Sequence, residues 1–148
     1  AQWSAAWEAS PRHEKFSRLD KDASVHSYHK PLVDLSRRNS SLIVQLRTQM
    51  FSLEYVIYHS PRQWCKIHRA ESPLCQTCQR REDVSHFLFF CSRFHHHHVP
   101  LRTALGRRAN SIGFLLTTDK GIRHILHYIH ATNHLPIYRD LAPPEPTS

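Results

Sequence analysis

Glycine is scarce in this chain, with three glycines among 148 residues. So few glycines could hardly build the glycine-rich loop that holds phosphate groups in nucleotide-binding folds. Acidic residues are few and scattered, and only Glu82 and Asp83 are adjacent. Enzymes that use two metal ions for phosphoryl transfer need paired carboxylates, and no nucleophile motif stands out either. We therefore expect a protein that is not an enzyme and has no small-molecule substrate.

Long apolar runs are also missing, because none approaches the ~18–20 residues that a membrane-spanning helix needs. The first residues, AQWSAAWEASPRHEKF, contain no long apolar core of the kind found in export signals. We expect an intracellular protein, in the nucleus or the cytoplasm, with no membrane partner. In a reducing compartment, clustered cysteine and histidine side chains are typical of metal sites rather than of disulfides.

Positive charge is abundant. Twenty Lys and Arg residues face twelve Asp and Glu residues, which gives a net charge of +8 with histidine neutral. Such a balance favours polyanionic partners, and nucleic acid first among them, although it also fits a merely solubilising surface. Six arginines between and after the cysteines are the candidate phosphate contacts: Arg80, Arg81, Arg93, Arg102, Arg107 and Arg108.

The strongest motif is C-x2-C-x7-H-x4-C in the segment SPLCQTCQRREDVSHFLFFCSRF. Three thiolates and one imidazole form a standard closed set for tetrahedral structural zinc, with no open position for a catalytic water. Asp83 is expected to cap a short helix that runs through Phe90 and presents the histidine. The sequence therefore predicts one structural Zn²⁺, and the predicted ligands are Cys75, Cys78, His86 and Cys91.

Other cysteine and histidine residues leave alternatives open. Cys65 could replace His86 in an all-thiolate site, stay a free thiol, or pair in a disulfide if the protein were secreted. The run His95–His98 is interpreted as a solvated or loosely ligating stretch, because adjacent side chains on a helix cannot all reach one ion. Four further histidines are interpreted as an exposed face of the last helix rather than as a second metal site: His124, His127, His130 and His134.

Apolar periodicity predicts a mainly α-helical fold. Leu42, Leu46, Met50, Leu53 and Ile57 recur at steps of three or four, which indicates a helix that packs this stripe in a core. Its predicted cap lies at residues 39–41, and Pro61 is expected to end it. Later helices are predicted over 99–117, with a break at one of two glycines, and from 119 onwards. Among the four phenylalanines at positions 87, 89, 90 and 94, at least two should be buried, and the others could stack on unpaired bases.

These elements give a predicted domain organisation. Residues 1–38 form a short helix, ended by Pro11, and an extended arm. Residues 39–141 form a small helical domain organised around a zinc knuckle at 72–94. Residues 142–148 form a disordered, proline-rich tail.

The zinc segment resembles the CCHC region at the C-terminal end of fungal non-LTR (LINE-type) retrotransposon polyproteins, where it follows reverse transcriptase and ribonuclease H domains. The likeness extends to WEASPRHEKFSRLD, to SSLIVQLRT and to the closing stretch LRTALGRRANSIGFLLTTDKGIRHILHYIHATNHL. This chain departs from the pattern at Gln49 and Met50, where the family continues with Gly-His, and it is longer between Leu53 and Cys75.

The resemblance implies a diverged fragment that binds RNA or single-stranded DNA and carries none of the parent's catalytic domains. An alternative stays open, in which the metal only organises helices that bind a protein partner through their apolar faces.

Overall fold

The computed structural model describes residues 2–17, 30–48 and 74–135. Helices account for 76% of these residues and none of them lies in a β-strand, which confirms the mainly helical fold class. The predicted tail at 142–148 and the stretch 49–73, which includes Cys65 and Pro61, lie outside the described residues. No helix within the described ranges is long and apolar enough to cross a membrane.

The N-terminal region differs from the predicted helix and arm. Helix α1 spans Gln2–Glu8, and helix α2 spans Pro11–Ser17 and packs against α1. Proline was expected to end a helix here, yet Pro11 begins one. The first helical position tolerates proline because its amide would have no helical partner in any case. A single 3₁₀ turn follows at Lys30–Leu32.

Helix α3 spans Arg37–Thr48. It begins before the predicted caps, since the hydroxyl of Ser36 accepts a hydrogen bond from the backbone amide of Asn39 at 3.3 Å. Leu42 and Leu46 are buried as the stripe predicts. Three members of the predicted stripe lie outside the described residues: Met50, Leu53 and Ile57.

Three further α-helices lie within residues 74–135: α4 at His95–Leu105, α5 at Ile112–Thr117 and α6 at Asp119–Thr132. The predicted break occurs at Gly106, which has φ +57° and opens a 3₁₀ turn at Gly106–Asn110. Helix α6 packs against both α4 and α5. Its cap is Thr118, and its first residue is Asp119, where the sequence predicts the helix to begin.

The capping of α6 follows from the geometry of its first turn. The hydroxyl of Thr118 accepts from the amide of Gly121 at 3.1 Å, whereas Asp119 is the first helical residue and pairs with Arg123 at 3.1 Å. An acidic side chain in the first turn is favourable beside the positive end of the helix dipole. Sequence analysis therefore located the start of this helix to within one residue.

Buried side chains of α3, α4, α5 and α6 form one hydrophobic core. Arg47 of α3 is buried, and its Nε donates to the carbonyl of Leu116 in α5 at 2.6 Å. Because apolar burial contributes ~25 cal/mol per Å², fully buried side chains supply most of the driving force for this arrangement. The largest of them are Phe87, Leu42, Ile43, Leu46, Leu88, Leu115, Leu116, Ile122 and Ile125.

Candidate metal centre

A tight hairpin turn carries the first two cysteines. Leu74 and Arg81 form an isolated antiparallel bridge, and the amide of Cys75 donates to the carbonyl of Arg80 at 2.7 Å. Inside this loop the amide of Gln79 donates to the carbonyl of Cys75 at 2.9 Å. Gln79 takes a left-handed conformation, with φ +53°, which turns the chain back directly after Cys78.

A π-helical turn at His86–Phe90 carries the histidine and leads into the last cysteine. The carboxylate of Asp83 accepts from the amide of His86 at 2.8 Å, so the predicted cap is present. The amide of Cys91 donates to the carbonyl of His86 at 2.8 Å, five residues back. In an α-helix, residues five apart point ~140° away from each other. The wider π turn reduces that angle and brings His86 and Cys91 toward one side.

These two turns bring together all four residues predicted as metal ligands. One donor atom from each of Cys75, Cys78, His86 and Cys91 lies within 4.8 Å of every other. The Sγ atom of Cys91 is 3.8 Å from that of Cys75 and 3.9 Å from that of Cys78. All three described cysteines are free thiols rather than members of a disulfide. The group is close enough to hold one metal ion.

The histidine has an unusual environment for a polar side chain. His86 is buried, and its Nε2 atom has no hydrogen-bond partner among the described residues. Leaving a buried polar atom unpaired costs ~1–3 kcal/mol, so such atoms are rare without a reason. A metal ion coordinated by the imidazole would remove this cost.

The pKa values of two cysteines differ because their surroundings differ. Hydrogen bonds from the Ser92 hydroxyl, 3.2 Å away, and from the Ser92 amide lower the pKa of Cys78 from 9.0 to about 7. Burial raises the pKa of Cys91 from 9.0 to about 12. Ser92 thus favours the thiolate form of Cys78, while Cys91 needs a nearby cation to lose its proton.

Two polar contacts that sequence analysis missed hold the ligand-bearing turns to the helices. The hydroxyl of Tyr128 in α6 donates to the carbonyl of Phe87 at 2.8 Å and lies 2.8 Å from Nε2 of His98 in α4. Burial lowers the pKa of His98 from 6.5 to about 4, so this imidazole is neutral. A tyrosine within an apolar helical stripe is a sequence signal for such a contact, since a buried hydroxyl needs a partner.

The second missed contact involves Glu82, which lies between Cys78 and His86 in the sequence. This carboxylate is 2% exposed and lies 3.1 Å from Nε2 of His134, just after α6. The ring of His134 stacks on Phe87 at 5.5 Å. His134 was interpreted as part of an exposed histidine face without an acidic partner, and that interpretation is wrong for this residue. Its partner is 52 positions away, so local spacing gave no indication of it.

The histidine run is likewise not uniform. His95 and His96 are exposed, His97 is half-buried, and His98 is 4% exposed because it faces the core. The interpretation of a solvated stretch therefore fails at its last member. Within the described residues, no further group of three or more potential ligands lies close enough for a second metal ion.

All six candidate phosphate-binding arginines are exposed. Arg93 lies over the ring of Phe94 at 5.3 Å, and Arg108 lies over that of Phe114 at 5.4 Å, both in cation–π geometry. Arg81 lies 3.8 Å from the carboxylate of Asp83. Among the described residues, no carboxylate forms an ion pair with the other five, which are Arg80, Arg93, Arg102, Arg107 and Arg108.

The four phenylalanines divide as expected. Phe87 and Phe94 are buried and meet edge to face at 5.3 Å, so their role is core packing. Phe89 is half-buried, and Phe90 is 68% exposed with its ring 6.1 Å from that of Phe89. Only Phe89 and Phe90 of this set therefore have a surface that a ligand could contact.

Comparisons with known proteins identify no relative: no family model, no curated protein and no solved structure matches this chain.

Proposed function

We propose that this protein binds one structural Zn²⁺ through Cys75, Cys78, His86 and Cys91. The donor geometry carries the proposal. Zinc–sulfur bonds of ~2.3 Å in tetrahedral coordination separate two sulfurs by ~3.8 Å, and the two measured Sγ–Sγ distances are 3.8 and 3.9 Å. The buried, unpartnered Nε2 of His86 supports the same assignment. Four protein ligands leave no position for substrate, so the proposed metal is structural rather than catalytic.

Metal content tests this part directly. Untagged protein should contain about one zinc per chain by plasma mass spectrometry, and Cys78→Ser should lose it together with part of the helical circular dichroism, since structural zinc couples binding to folding. A variant with alanine at His95, His96 and His97 is the matched control, because it removes three imidazoles outside the Cys/His cluster and none of the four proposed ligands. Cobalt substitution should give a tetrahedral, thiolate-rich spectrum. Metal that disappears with the three-histidine variant but not with Cys78→Ser would overturn the assignment.

We further propose that the zinc-stabilised module binds RNA or single-stranded DNA. From residue 74 to residue 135 the chain has eight Lys and Arg residues and three acidic ones, a net charge of +5 with histidine neutral. Each of these three acids already has a partner within the same segment: Glu82 contacts His134, Asp83 caps a turn, and Asp119 pairs with Arg123. The exposed arginines are therefore the main charges left to face solvent and a polyanion.

A salt titration tests this binding. Each phosphate contact to a single strand contributes ~0.7 to the slope of log affinity against log salt, so Arg80→Ala/Arg81→Ala should lower that slope by about 1.4. Lys120→Ala is the matched charge control, since Lys120 is exposed on α6, away in sequence from the arginine set. Affinity that depends on neither salt nor these arginines would exclude the proposal.

A protein-binding role is the second candidate, and four exposed apolar side chains favour it: Val33, Leu74, Phe90 and Val99. They lie on four different elements, and singly scattered apolar residues are normal on protein surfaces. We therefore rank this role below nucleic-acid binding. Its distinguishing result would be binding that resists high salt and is lost on replacing an exposed apolar residue.

The resemblance to non-LTR retrotransposon polyproteins leads us to propose that the chain derives from the C-terminal end of such an element. The proposal predicts remnants of a reverse transcriptase reading frame in the genomic DNA immediately upstream. Sequencing that DNA is the test, and an upstream region without such remnants would contradict the proposed origin.

A further inference from the structure

The aromatic pair Phe89 and Phe90 lies beside the proposed metal centre, and its surroundings suit a nucleic-acid base. Phe90 is the last residue of the π-helical turn and directly precedes Cys91, which is buried. The turn therefore places the ligand His86 in the interior and the ring of Phe90 in solvent. A ring this exposed contributes little to the core, and its face is free to contact a ligand.

A shallow surface depression lies beside Phe89, the inner member of this pair. Its floor consists of buried core residues, and Phe89, Arg102 and Asn110 form its more accessible rim. Arg102 has no carboxylate partner among the described residues, and Asn110 is an exposed amide with both donor and acceptor atoms. The half-buried ring of Phe89, a guanidinium and an amide thus border the same depression, and Phe90 follows Phe89 directly in the chain.

We infer that Phe90, with Phe89 behind it, is a stacking platform for one unpaired base of a single-stranded polynucleotide, and that Arg102 binds an adjacent phosphate. This inference rests on the proposed nucleic-acid binding and deepens it by naming the contact. Stacking on an aromatic ring requires a base whose face is free, and bases inside a duplex do not offer theirs. Charge decides the occupant, because the rim cation favours a phosphate chain over an apolar protein segment.

The platform also explains how the metal would support nucleic-acid binding without contacting the nucleic acid. His86 and Cys91 fix both ends of the turn that presents Phe90, through the hydrogen bond from the Cys91 amide to the His86 carbonyl. Zinc would order the ring in advance, so less conformational freedom is lost when a base stacks on it. Binding of single strands should consequently fall when the metal is removed.

Fluorescence anisotropy with a labelled RNA strand of about 12 nucleotides, the same sequence as DNA, and the corresponding duplex tests the inference. Phe90→Ala should weaken binding of both single strands about tenfold, since a stacked base contributes a factor of that order. Binding of the duplex and the salt slope should not change. Phe90→Trp should restore the affinity, and Arg102→Ala should lower the single-strand slope by about 0.7.

Two controls keep the outcomes separate. Val33→Ala removes another exposed apolar side chain and should leave binding unchanged, and zinc content should be equal in all of these proteins because none of the changed residues is a proposed ligand. Equal single-strand affinity of Phe90→Ala and wild type, with steep salt dependence retained, would overturn the platform but not the proposed function. Absence of binding by wild type at low salt would overturn the proposed function itself.

Discussion

Residues 74–94 and residues 95–132 contribute to the same core, but different interactions order them. The second region contains three α-helices. Their backbone N–H and C=O groups form hydrogen bonds within each helix, and their apolar stripes pack together. The first has a hairpin turn, a π-helical turn and a 3₁₀ turn. Short turns of this kind do not hold their shape by themselves. The comparison suggests that the first region depends on the proposed metal, whereas the second depends on the burial of its side chains.

Removing the metal should give the largest effect and should separate the two regions. We expect a strong chelator to abolish amide protection throughout 74–94, because structural zinc in small domains contributes ~10–16 kcal/mol of apparent binding free energy. The amides of α6 should keep partial protection, since this helix still packs against α4 and α5. Hydrogen exchange measured by mass spectrometry is the readout. Unchanged protection of 74–94 in chelator would mean that metal does not order this region.

The second region should be most sensitive where its helices approach each other closely. A Cβ atom at Gly121 would contact the carbonyl oxygen of Phe114 and lie 2.7 Å from the Cα of Leu115, both of them backbone atoms that cannot move aside. Gly121→Ala should therefore lower the free energy of unfolding by about 3 kcal/mol, the upper part of the usual range for overpacking. Urea unfolding of the zinc-loaded protein measures it.

Gly106→Ala is the matched control for this prediction. Nothing lies within 4 Å of a Cβ atom there, and only the backbone conformation, with φ +57° and ψ −133°, opposes the substitution. This conformation is outside the left-handed helical region, so we expect a cost of about 2 kcal/mol from backbone strain alone. Equal costs at the two glycines would show that helix crossing does not limit the stability of the second region.

A pH dependence should come from His98, which links the second region to the first through Tyr128. The pKa of His98 in the folded protein is about 4, against 6.5 for an unperturbed histidine, because the ring is buried and lies near the cation of Arg102. The unfolded chain therefore binds a proton between these values while the folded chain does not. Stability from this group is complete above pH ~6.5 and is lost as the pH falls toward 4, by about 2 kcal/mol between pH 7 and pH 5.

Comparison with His98→Gln isolates this contribution. The amide of glutamine can still donate to the Tyr128 hydroxyl but does not titrate. Protonation of the proposed zinc ligands affects both proteins equally, so the difference between their unfolding free energies at pH 7 and pH 5 reports on His98. Parallel losses of stability in the two proteins would contradict the assignment.

Sequence analysis predicted the mainly helical fold class and the Cys/His cluster, for which local signals suffice. The C-x2-C-x7-H-x4-C spacing and the Asp83 cap are encoded within 17 consecutive positions, and the structure brings those residues together. Helix starts were less predictable, because proline can end or begin a helix and because Ser36 competes with residues 39–41 as an N-cap. Contacts distant in sequence, such as that of Glu82 with His134, could not be predicted, since they depend on how the helices pack.

The smallest predicted effect concerns the hairpin turn of the first region. Gln79 has φ +53°, which costs a residue with a Cβ atom ~1 kcal/mol relative to glycine. Gln79→Gly should raise the free energy of unfolding by about 0.5 kcal/mol, because part of the gain is offset by the greater freedom of glycine in the unfolded chain. Its side chain also donates to the carbonyl of Gln76 at 2.9 Å, but this exposed bond contributes little. Gln76→Gly, in the same turn without a positive φ, should instead destabilise the protein by a similar amount. If Gln79→Gly raises and Gln76→Gly lowers the free energy of unfolding in urea, backbone conformation limits the stability of the hairpin turn. If both substitutions destabilise the protein equally, the metal alone determines the shape of the turn.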